Sequence, residues 1–539
     1  MRSSLPATLV AALLFAGATF ADPVIFRVHM PALASGPVSG RLLLFAEPLA
    51  TAQTQAEGGP IKDVDSRLTN PTQTAIAAQE VLNAAPGSIV DVDADLIAYP
   101  SAFAKMPAGV YAVQAVLDVN HRYAYAGREA GDLLSPVTVI TLPLGGDLTL
   151  SQTIAAPPDP WLSPAGAPAD ARARQEAARA DSHPIDFISS ALSRFWGRPI
   201  HMRGWLVTPP GYGAHPGERY PTVYFTHGFG GSLRHLVDTA VYVHDAMADG
   251  SAPPMIWVLL DESSASGTHE FANSVNNGPW GEALTTELIP YLEHVWRMDA
   301  RTKGRFLNGH SSGGWATLWL QTRYPALFGG TWSTSPDPSD FHDFTGSDLY
   351  APGASLYRRS DGTPAPIVRD HGRVLAKMED FARIEAVEGA YGGQMSSFDW
   401  VFSPRGPDGR PEPMFDRATG AVDPVVVAYW RENYDIAYRI ARDWTKLRPE
   451  LDGKIHLIVG TADTFYLDGA ARRLKAVLDA LGARSDIRFL PERTHFDLYG
   501  VGGDSRGLLK QIAWEMYAVA RPDAKRPAPL GQLLDPAPR

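Results

Sequence analysis

From about residue 183, short apolar segments alternate with helical segments, and this alternation most constrains the fold of the 539-residue chain. The helical spacing of Leu467, Ala471, Leu474 and Leu478 illustrates the second kind of segment. Such alternation is typical of a mostly parallel sheet covered by helices on both faces, so we predict an α/β domain over residues 183–520. Its predicted strands lie at residues 222–226, 255–260, 304–307, 330–333, 455–459 and 487–490.

The remaining chain divides by composition. Residues 22–155 carry short β-rich segments separated by Gly and Pro, which predicts a small all-β sandwich domain. Residues 156–182 are interpreted as a linker with one short exposed helix. Residues 335–452, rich in Pro, Gly, Asp and aromatic residues, interrupt the α/β alternation and are interpreted as an insertion or lid. The proline-rich residues 521–539 are expected to be a disordered tail.

The first 21 residues have the pattern of a secretory signal peptide. Arg2 is the only charged residue before Asp22, and an apolar run between them ends in small residues. The run is shorter than the roughly 20 residues that span a bilayer, although an uncleaved anchor or a buried strand stays an alternative. Cleavage after Ala18 or Ala21 would leave a periplasmic or secreted protein.

Composition excludes several classes of function. The chain has no cysteine, which excludes disulfides, thiolate zinc sites and a cysteine nucleophile. Lys and Arg number 48 against 59 Asp and Glu, for a net charge of −11, and no basic run offsets this balance. We therefore expect no nucleic-acid partner. No later stretch is apolar and long enough for a membrane helix, so no membrane partner is expected.

The strongest local motif is Gly-His-Ser-Ser-Gly, which centres on Ser311. The motif follows a short apolar segment and precedes a helix with an apolar face, as in a nucleophile elbow, where glycines avoid steric clashes around a strained serine. A second Gly-x-Ser-x-Gly match centres on Ser505 but follows a glycine-rich segment with no strand before it. We therefore assign Ser311 as the nucleophile and Ser505 to a turn before the last helix.

A serine nucleophile needs a base and an acid that orients the base. Asp463 and His495 each follow a predicted strand end, in the chain order Ser, Asp, His. Asp468 is the alternative acid, and Asp463 could instead be a helix cap. His495 is favoured as base over the other histidines that follow Ser311, which lie in the insertion or within a strand: His342, His371 and His456.

Acyl transfer also needs N–H donors for the oxyanion. One predicted donor is the N–H of Ser312, the residue after the nucleophile. The second is expected in the glycine-rich loop after the strand 222–226, where we favour Phe229, then Gly230. A plain glycine turn is the alternative interpretation of this loop.

These residues resemble the esterase family of α/β-hydrolases, which includes enterochelin esterases, feruloyl esterases, esterase D and mycolyltransferases. The resemblance implies an α/β-hydrolase fold over residues 183–520 and a Ser–Asp–His triad, here Ser311, Asp463 and His495. Thr494 departs from the glycine that often precedes the catalytic histidine. The β domain before the catalytic domain is similar to the arrangement in enterochelin esterases. The resemblance rests on residues 224–228, 277–281, 287–290, 309–314, 460–463 and 494–495.

We therefore predict an exported serine hydrolase that cleaves carboxylic esters through an acyl-enzyme, with a small-molecule or polysaccharide-linked ester as substrate. No metal or organic cofactor is expected. Glu270, Asp340 and Asp343 are interpreted as solvated loop acids, not metal ligands.

Other interpretations stay open. A peptidase or an acyltransferase could use the same triad, and a non-catalytic carbohydrate-binding protein could keep the fold. The β domain could also be a binding module that docks the enzyme on polysaccharide. Tyr111, Tyr123 and Tyr125 are its candidates for stacking on sugars, although core packing is favoured for Tyr111.

Overall fold

The computed structural model describes residues 22–32, 36–163 and 165–524. The predicted signal peptide at residues 1–21 lies outside the described residues, as do residues 525–539 of the predicted tail. No described helix combines the length and the hydropathy needed to cross a membrane.

Two sheets make up the N-terminal domain, in agreement with the predicted sandwich. The smaller sheet has three strands, in the order Ile89–Asp93, Ile25–His29 and Gly146–Thr149. The larger has seven, in the order Gln152–Thr153, Leu133–Leu134, Gly109–Asp118, Val38–Pro48, Ala75–Ala84 and Ala98–Tyr99, with Thr138–Leu142 paired to Gly109–Asp118. Short helices at Leu49–Gln55 and Tyr123–Ala126 and a 3₁₀ turn at Phe103–Lys105 complete the domain.

The strand Val38–Pro48 shows how both faces of the larger sheet are covered. Successive side chains of a strand point to opposite faces. Leu42 and Leu44 face the core between the two sheets. Leu43 and Phe45 face the other side, where they belong to a cluster that also contains Val387 of the insertion. Both faces of the larger sheet are therefore covered, one by the smaller sheet and one by a neighbouring part of the chain.

The predicted linker is partly packed. Its helix Ala169–Ala180 is mostly exposed, as expected, but it buries Ala178 and pairs Arg174 with Asp245 at 3.1 Å. Trp161 is buried edge-on against Trp205, with 5.3 Å between the ring centroids. The segment is thus fastened to the catalytic domain along its length.

The catalytic domain contains an eight-stranded sheet with strands β1 (Ser182–Ile188), β2 (His201–Val207), β3 (Thr222–Thr226), β4 (Ile256–Leu260), β5 (Arg305–His310), β6 (Gly330–Thr334), β7 (Ile455–Gly460) and β8 (Ser485–Leu490). Their spatial order is β1-β2-β4-β3-β5-β6-β7-β8, with β1 and β2 antiparallel at one edge and all pairings from β4 to β8 parallel. This topology, with helices on both faces, confirms the predicted α/β-hydrolase fold.

Within the described residues, six helices of the catalytic domain have 11 or more residues. They are α1 (His235–Ala248), α2 (Ser312–Arg323), α3 (Met378–Glu388), α4 (Ile436–Leu451), α5 (Leu467–Ala480) and α6 (Gly507–Ala520). Shorter helical segments lie at Ser190–Trp196, Tyr212–Ala214, Trp280–Ala283, Leu284–Leu288, Ile289–Val295, Thr302–Gly304, Phe341–Asp343, Gln394–Phe402 and Pro424–Asn433. Small hairpins pair Ser263–Ser264 with Gly267–Thr268, Asn273–Ser274 with Gly278–Pro279, and Pro366–Asp370 with Arg373–Lys377.

The insertion at residues 335–452 packs as a continuous layer on the sheet. Most of its buried hydrophobic side chains share one cluster with Trp315 and Trp319 of α2 and with Leu457 of β7. Helix α4 comes between β6 and β7 along the chain and packs on the sheet, as a crossover helix between parallel strands does. Helix α3 instead reaches the N-terminal domain, where Arg41 donates to the carbonyl of Val387 at 2.7 Å.

Candidate active site

Ser311 lies on a sharp turn between β5 and α2. Its φ of 60° and ψ of −124° place a non-glycine residue in a strained region of backbone space. A Cβ at Gly309 would lie 2.2 Å from the carbonyl oxygen of Gly313, and one at Gly313 would lie 2.3 Å from that of His227. Both glycines of the motif are therefore required by close backbone contacts. This is the geometry of a nucleophile elbow.

His495 and Asp463 come from loops at the carboxyl ends of neighbouring parallel strands. Asp463 follows β7 and His495 follows β8, and the sheet brings the two loops together. His495 Nδ1 lies 3.0 Å from Asp463 Oδ2, and both side chains are buried. The other carboxylate oxygen, Oδ1, accepts the N–H groups of Phe465 at 3.0 Å and Leu467 at 3.3 Å.

The environment keeps Asp463 ionised. Burial by itself would raise its pKa, but the neighbouring His495 and the backbone donors outweigh burial and hold the pKa below its ordinary value. Arg369 of the insertion donates to the Asp463 carbonyl at 2.8 Å and to Asp468 Oδ1 at 2.8 Å. Asp468, the alternative acid, is thus paired with an arginine, whereas Asp463 contacts the histidine.

Ser311 and His495 line one cleft, with His310 beside them. The rings of His310 and His495 lie 4.4 Å apart, and burial lowers the pKa of His310 to about 3, so that it stays neutral next to His495. Among the hydrogen bonds of the described residues, none joins Ser311 Oγ to His495. Catalytic hydrogen bonds in unliganded enzymes are often longer than in the complex with substrate.

The loop after β3 carries Phe229, one of the two predicted oxyanion donors, and the other, Ser312, begins α2. A Cβ at Gly228 would lie 2.8 Å from that of Ser311, so the loop backbone passes directly over the serine. Within the described chain, neither backbone nor side-chain acceptors take the N–H of Phe229. The N–H of Ser312, in the first turn of α2, has no intrahelical acceptor. Both donors therefore stay available.

Two neighbours brace this loop. His227 Nε2 lies 2.9 Å from Asp261 Oδ1; burial favours the neutral ring, but Asp261 outweighs it and raises the pKa of His227. From the N-terminal domain, Tyr125 donates its hydroxyl proton to the Gly231 carbonyl at 2.7 Å and packs edge-on against Phe229. The N-terminal domain therefore contacts the loop after β3 directly.

Asp337 was missed by the sequence analysis. It follows β6 and is buried, and its Oδ2 accepts the Ser312 hydroxyl at 2.6 Å while its N–H donates to the Ser311 carbonyl at 3.2 Å. Burial raises its pKa to about 6, although the Ser312 hydroxyl and His495 oppose the rise. Its position just past a strand end at the active edge of the sheet was the available signal.

Two of the loop acids were interpreted wrongly. Glu270 is fully buried and Asp340 nearly so, and neither is the solvated surface acid that the sequence suggested. Burial raises the pKa of Glu270 well above its ordinary value, and that of the neighbouring Glu262 to about 8. Within the described residues, no three His, Asp or Glu side chains are grouped as a metal site requires.

The tyrosines considered for sugar stacking are also inside the protein. Tyr111, Tyr123 and Tyr125 are all buried, because Tyr111 packs in the sandwich core and the other two face the catalytic domain or the insertion. None of the three offers an exposed stacking face. Ser505, the second motif serine, lies in a turn directly before α6, as predicted.

Three parts of the chain form the cleft around Ser311, which has a volume of about 580 Å³. The catalytic domain provides the floor with Ser311, His495 and an aromatic rim that includes the largely exposed Phe496. The other walls come from α3 and from residues 65–71 and 123–127 of the N-terminal domain.

Comparison with known proteins identifies a family for the chain. A family model described as "Putative esterase" matches residues 197–495, more than half of the chain. The fluorophosphonate-binding serine hydrolase F of Staphylococcus aureus is 11% identical with a TM-score of 0.37, covering 63% of this chain and 98% of that one. An S-formylglutathione hydrolase from Agrobacterium tumefaciens is 13% identical with a TM-score of 0.37, covering 63% and 95%.

A ferulic acid esterase from Anaeromyces mucronatus is 13% identical with a TM-score of 0.33, covering 61% of this chain and 87% of that one. These similarities are distant. The family match is what assigns the chain. The chain belongs to this esterase family and is a carboxylic-ester hydrolase.

Proposed function

We propose that the protein is an exported serine esterase that cleaves its substrate through an acyl-enzyme on Ser311. One observation carries the proposal: Ser311 occupies a strained elbow in the same cleft as His495, which is hydrogen-bonded to the buried carboxylate of Asp463. A serine, a histidine and an ionised acid in this order are the parts that nucleophilic acyl transfer needs.

The reaction follows from these positions. His495 Nε2 accepts the Ser311 proton as Oγ attacks the ester carbonyl, and it later returns that proton to the leaving alcohol. Asp463 holds the Nδ1–H tautomer and stabilises the imidazolium that forms. The N–H groups of Phe229 and Ser312 donate to the oxyanion. Water, activated by His495, then releases the acid and restores Ser311.

Hydrolysis of p-nitrophenyl esters from acetate to octanoate tests this function. Wild type is compared with Ser311→Ala and with Ser505→Ala, the matched control at the second Gly-x-Ser-x-Gly motif. We expect turnover by wild type and by Ser505→Ala and a loss of at least about 10³-fold in Ser311→Ala. Turnover that survives in Ser311→Ala and vanishes in Ser505→Ala would overturn the choice of nucleophile.

Two further measurements bear on the remaining parts of the proposal. Adding amines or alcohols during turnover separates hydrolysis from acyl transfer, because an acyltransferase would give the amide or ester of the acceptor as its main product. Intact mass of protein recovered from the periplasm of an expression host tests export. Cleavage after Ala18 or Ala21 is expected, and an unprocessed N-terminus in the cytoplasm would contradict it.

A further inference from the structure

The wall of the cleft opposite the catalytic floor carries carboxylates. Helix α3 contributes Glu385 and Glu388, and the N-terminal domain contributes Asp65. These three acids line the same 580 Å³ space as Ser311 and His495. The other side chains of the cleft are largely apolar or aromatic, such as Phe381 and Phe465. The cleft is therefore apolar in the middle and acidic along one wall.

Of these three acids, Glu388 has the fewest hydrogen-bonding and ion-pair partners. It is 7% exposed, and its Oε1 accepts the Ser66 hydroxyl at 3.0 Å. Among the described residues no donor reaches its Oε2, and no arginine, lysine or histidine forms an ion pair with it. Glu385, in contrast, has both oxygens occupied by the N–H groups of Gln394 and Met395.

The nearby cations are already engaged. Arg41 donates to the carbonyl of Val387 and faces Glu80, and Arg128 donates to the carbonyl of Val64 and faces Asp65 at 3.7 Å. Arg67 lines the rim of the cleft and is bonded to Gln55. A buried carboxylate is costly without a charged partner. Within the described residues, Glu388 therefore has no cationic side chain to pair with its carboxylate.

We propose that this wall is a subsite for an ammonium group, so that the preferred substrates are esters with a primary amine remote from the ester bond. The inference rests on the proposed function of the cleft. Glu388 Oε2 would accept a charge-assisted hydrogen bond from the ammonium, and Asp65 would add to the negative potential. The apolar middle of the cleft would hold the aliphatic chain between the two polar ends of the substrate.

The charge state of Glu388 gives the subsite a pH signature. Burial raises its pKa to about 8, and the nearby carboxylates of Asp65, Glu385 and Asp118 add to the rise. Ammonium binding should therefore strengthen as pH rises from about 6 to about 9, where the carboxyl ionises and an alkylamine with a pKa near that of lysine stays charged. A neutral ligand of the same shape should show no such increase.

Calorimetry with the full chain tests the subsite without requiring turnover. Hexylammonium is compared with 1-hexanol, an isosteric neutral probe, at about pH 8.5. Wild type should bind hexylammonium at least about tenfold more tightly than 1-hexanol, and this preference should fall to less than threefold in Glu388→Gln. Glu450→Gln, which removes an exposed carboxylate on α4 outside the cleft, is the matched control and should keep the preference.

Hydrolysis then tests the substrate class. The kcat/KM for p-nitrophenyl 6-aminohexanoate is compared with that for the isosteric heptanoate, and the ratio cancels any pH dependence that the two esters share. A ratio above one that rises with pH supports the proposal, and equal values at all pH would overturn it while leaving the esterase function intact. Turnover of neither ester would instead contradict the esterase function. The wild-type comparisons decide the matter even where Glu388→Gln does not fold.

Discussion

Replacing Asp463 by Asn should remove most of the catalytic rate while preserving the fold. The carboxylate lies 3.0 Å from His495 Nδ1 and is fully buried. In the Asp463→Asn protein, the retained Oδ1 can still accept the N–H groups of Phe465 and Leu467, so the loop after β7 should keep its conformation. The new amide would present a donor to Nδ1 and favour the wrong histidine tautomer.

The size of the loss follows from the charge separation. Opposite charges about 4 Å apart attract by about 4 kcal/mol at an effective dielectric constant of about 20. The attraction exists only when His495 is protonated, so it acts in the transition state and not on the bound substrate. At about 1.36 kcal/mol per factor of ten, kcat should fall by about 10³-fold, with a further loss from the wrong tautomer.

The assay compares kcat and KM for p-nitrophenyl butyrate in wild type, Asp463→Asn and Asp468→Asn, with thermal unfolding as a check of the fold. Asp468→Asn is the matched control, because it alters the acid that pairs with Arg369 and should cost less than about threefold. An Asp463→Asn protein that keeps more than a tenth of the wild-type kcat would refute the assignment of the acid, as would a larger loss in Asp468→Asn.

Three further predictions concern the elbow, the loop brace and a buried acid. Gly313→Ala should lower the free energy of unfolding in urea by about 1–3 kcal/mol, because its Cβ would lie 2.3 Å from the His227 carbonyl oxygen; an unchanged value would contradict the required contact. Tyr125→Phe should lower kcat about three- to tenfold with little change in KM, because it loses only the hydrogen bond to Gly231 in the loop that carries the proposed oxyanion donor Phe229. A changed KM at constant kcat would contradict the idea that Tyr125 positions this loop. Burial raises the pKa of Glu262 from 4.5 to about 8. The contribution of this shift to the free energy of unfolding is therefore fully present below about pH 4.5 and is lost as pH rises through about 8. Glu262→Gln should therefore flatten the decline in unfolding free energy between about pH 5 and pH 8 by up to about 1.4 kcal/mol per pH unit, and an unchanged slope would show that Glu262 is ionised.

The central sheet and the positions of Ser311, Asp463 and His495 at the carboxyl ends of its strands could be predicted because their signals are local. Strand β3 was predicted with its observed bounds, because all five of its residues are β-branched or aromatic, the types that favour strands. Asp463 and His495 were predicted because parallel strands end at one edge of the sheet, so residues just past strand ends lie close together.

Strands β1 and β2 were missed for the opposite reason. They lie at the antiparallel edge of the sheet, where many of their positions are exposed or half-buried, so neither strand forms an apolar run. The strand Ala75–Ala84 was missed as well, since alanine is a weak strand former.

The walls of the cleft could not be predicted from sequence. Tyr125 and Ser66 are far along the chain from Gly231 and Glu388, and contacts over such separations leave no local pattern. Glu262, Glu270 and Asp337 were missed or misjudged for a related reason, since charged residues are mostly exposed and their burial depends on packing around the nucleophile.

The most direct test of the account is to locate the covalent adduct of a fluorophosphonate probe by peptide mass spectrometry. We predict one adduct per chain, on Ser311, formed by the wild type and greatly slowed in His495→Ala, because the histidine activates the serine. An adduct on Ser505, or labelling of Ser311 at the same rate without His495, would contradict the claim that Ser311 is the activated nucleophile.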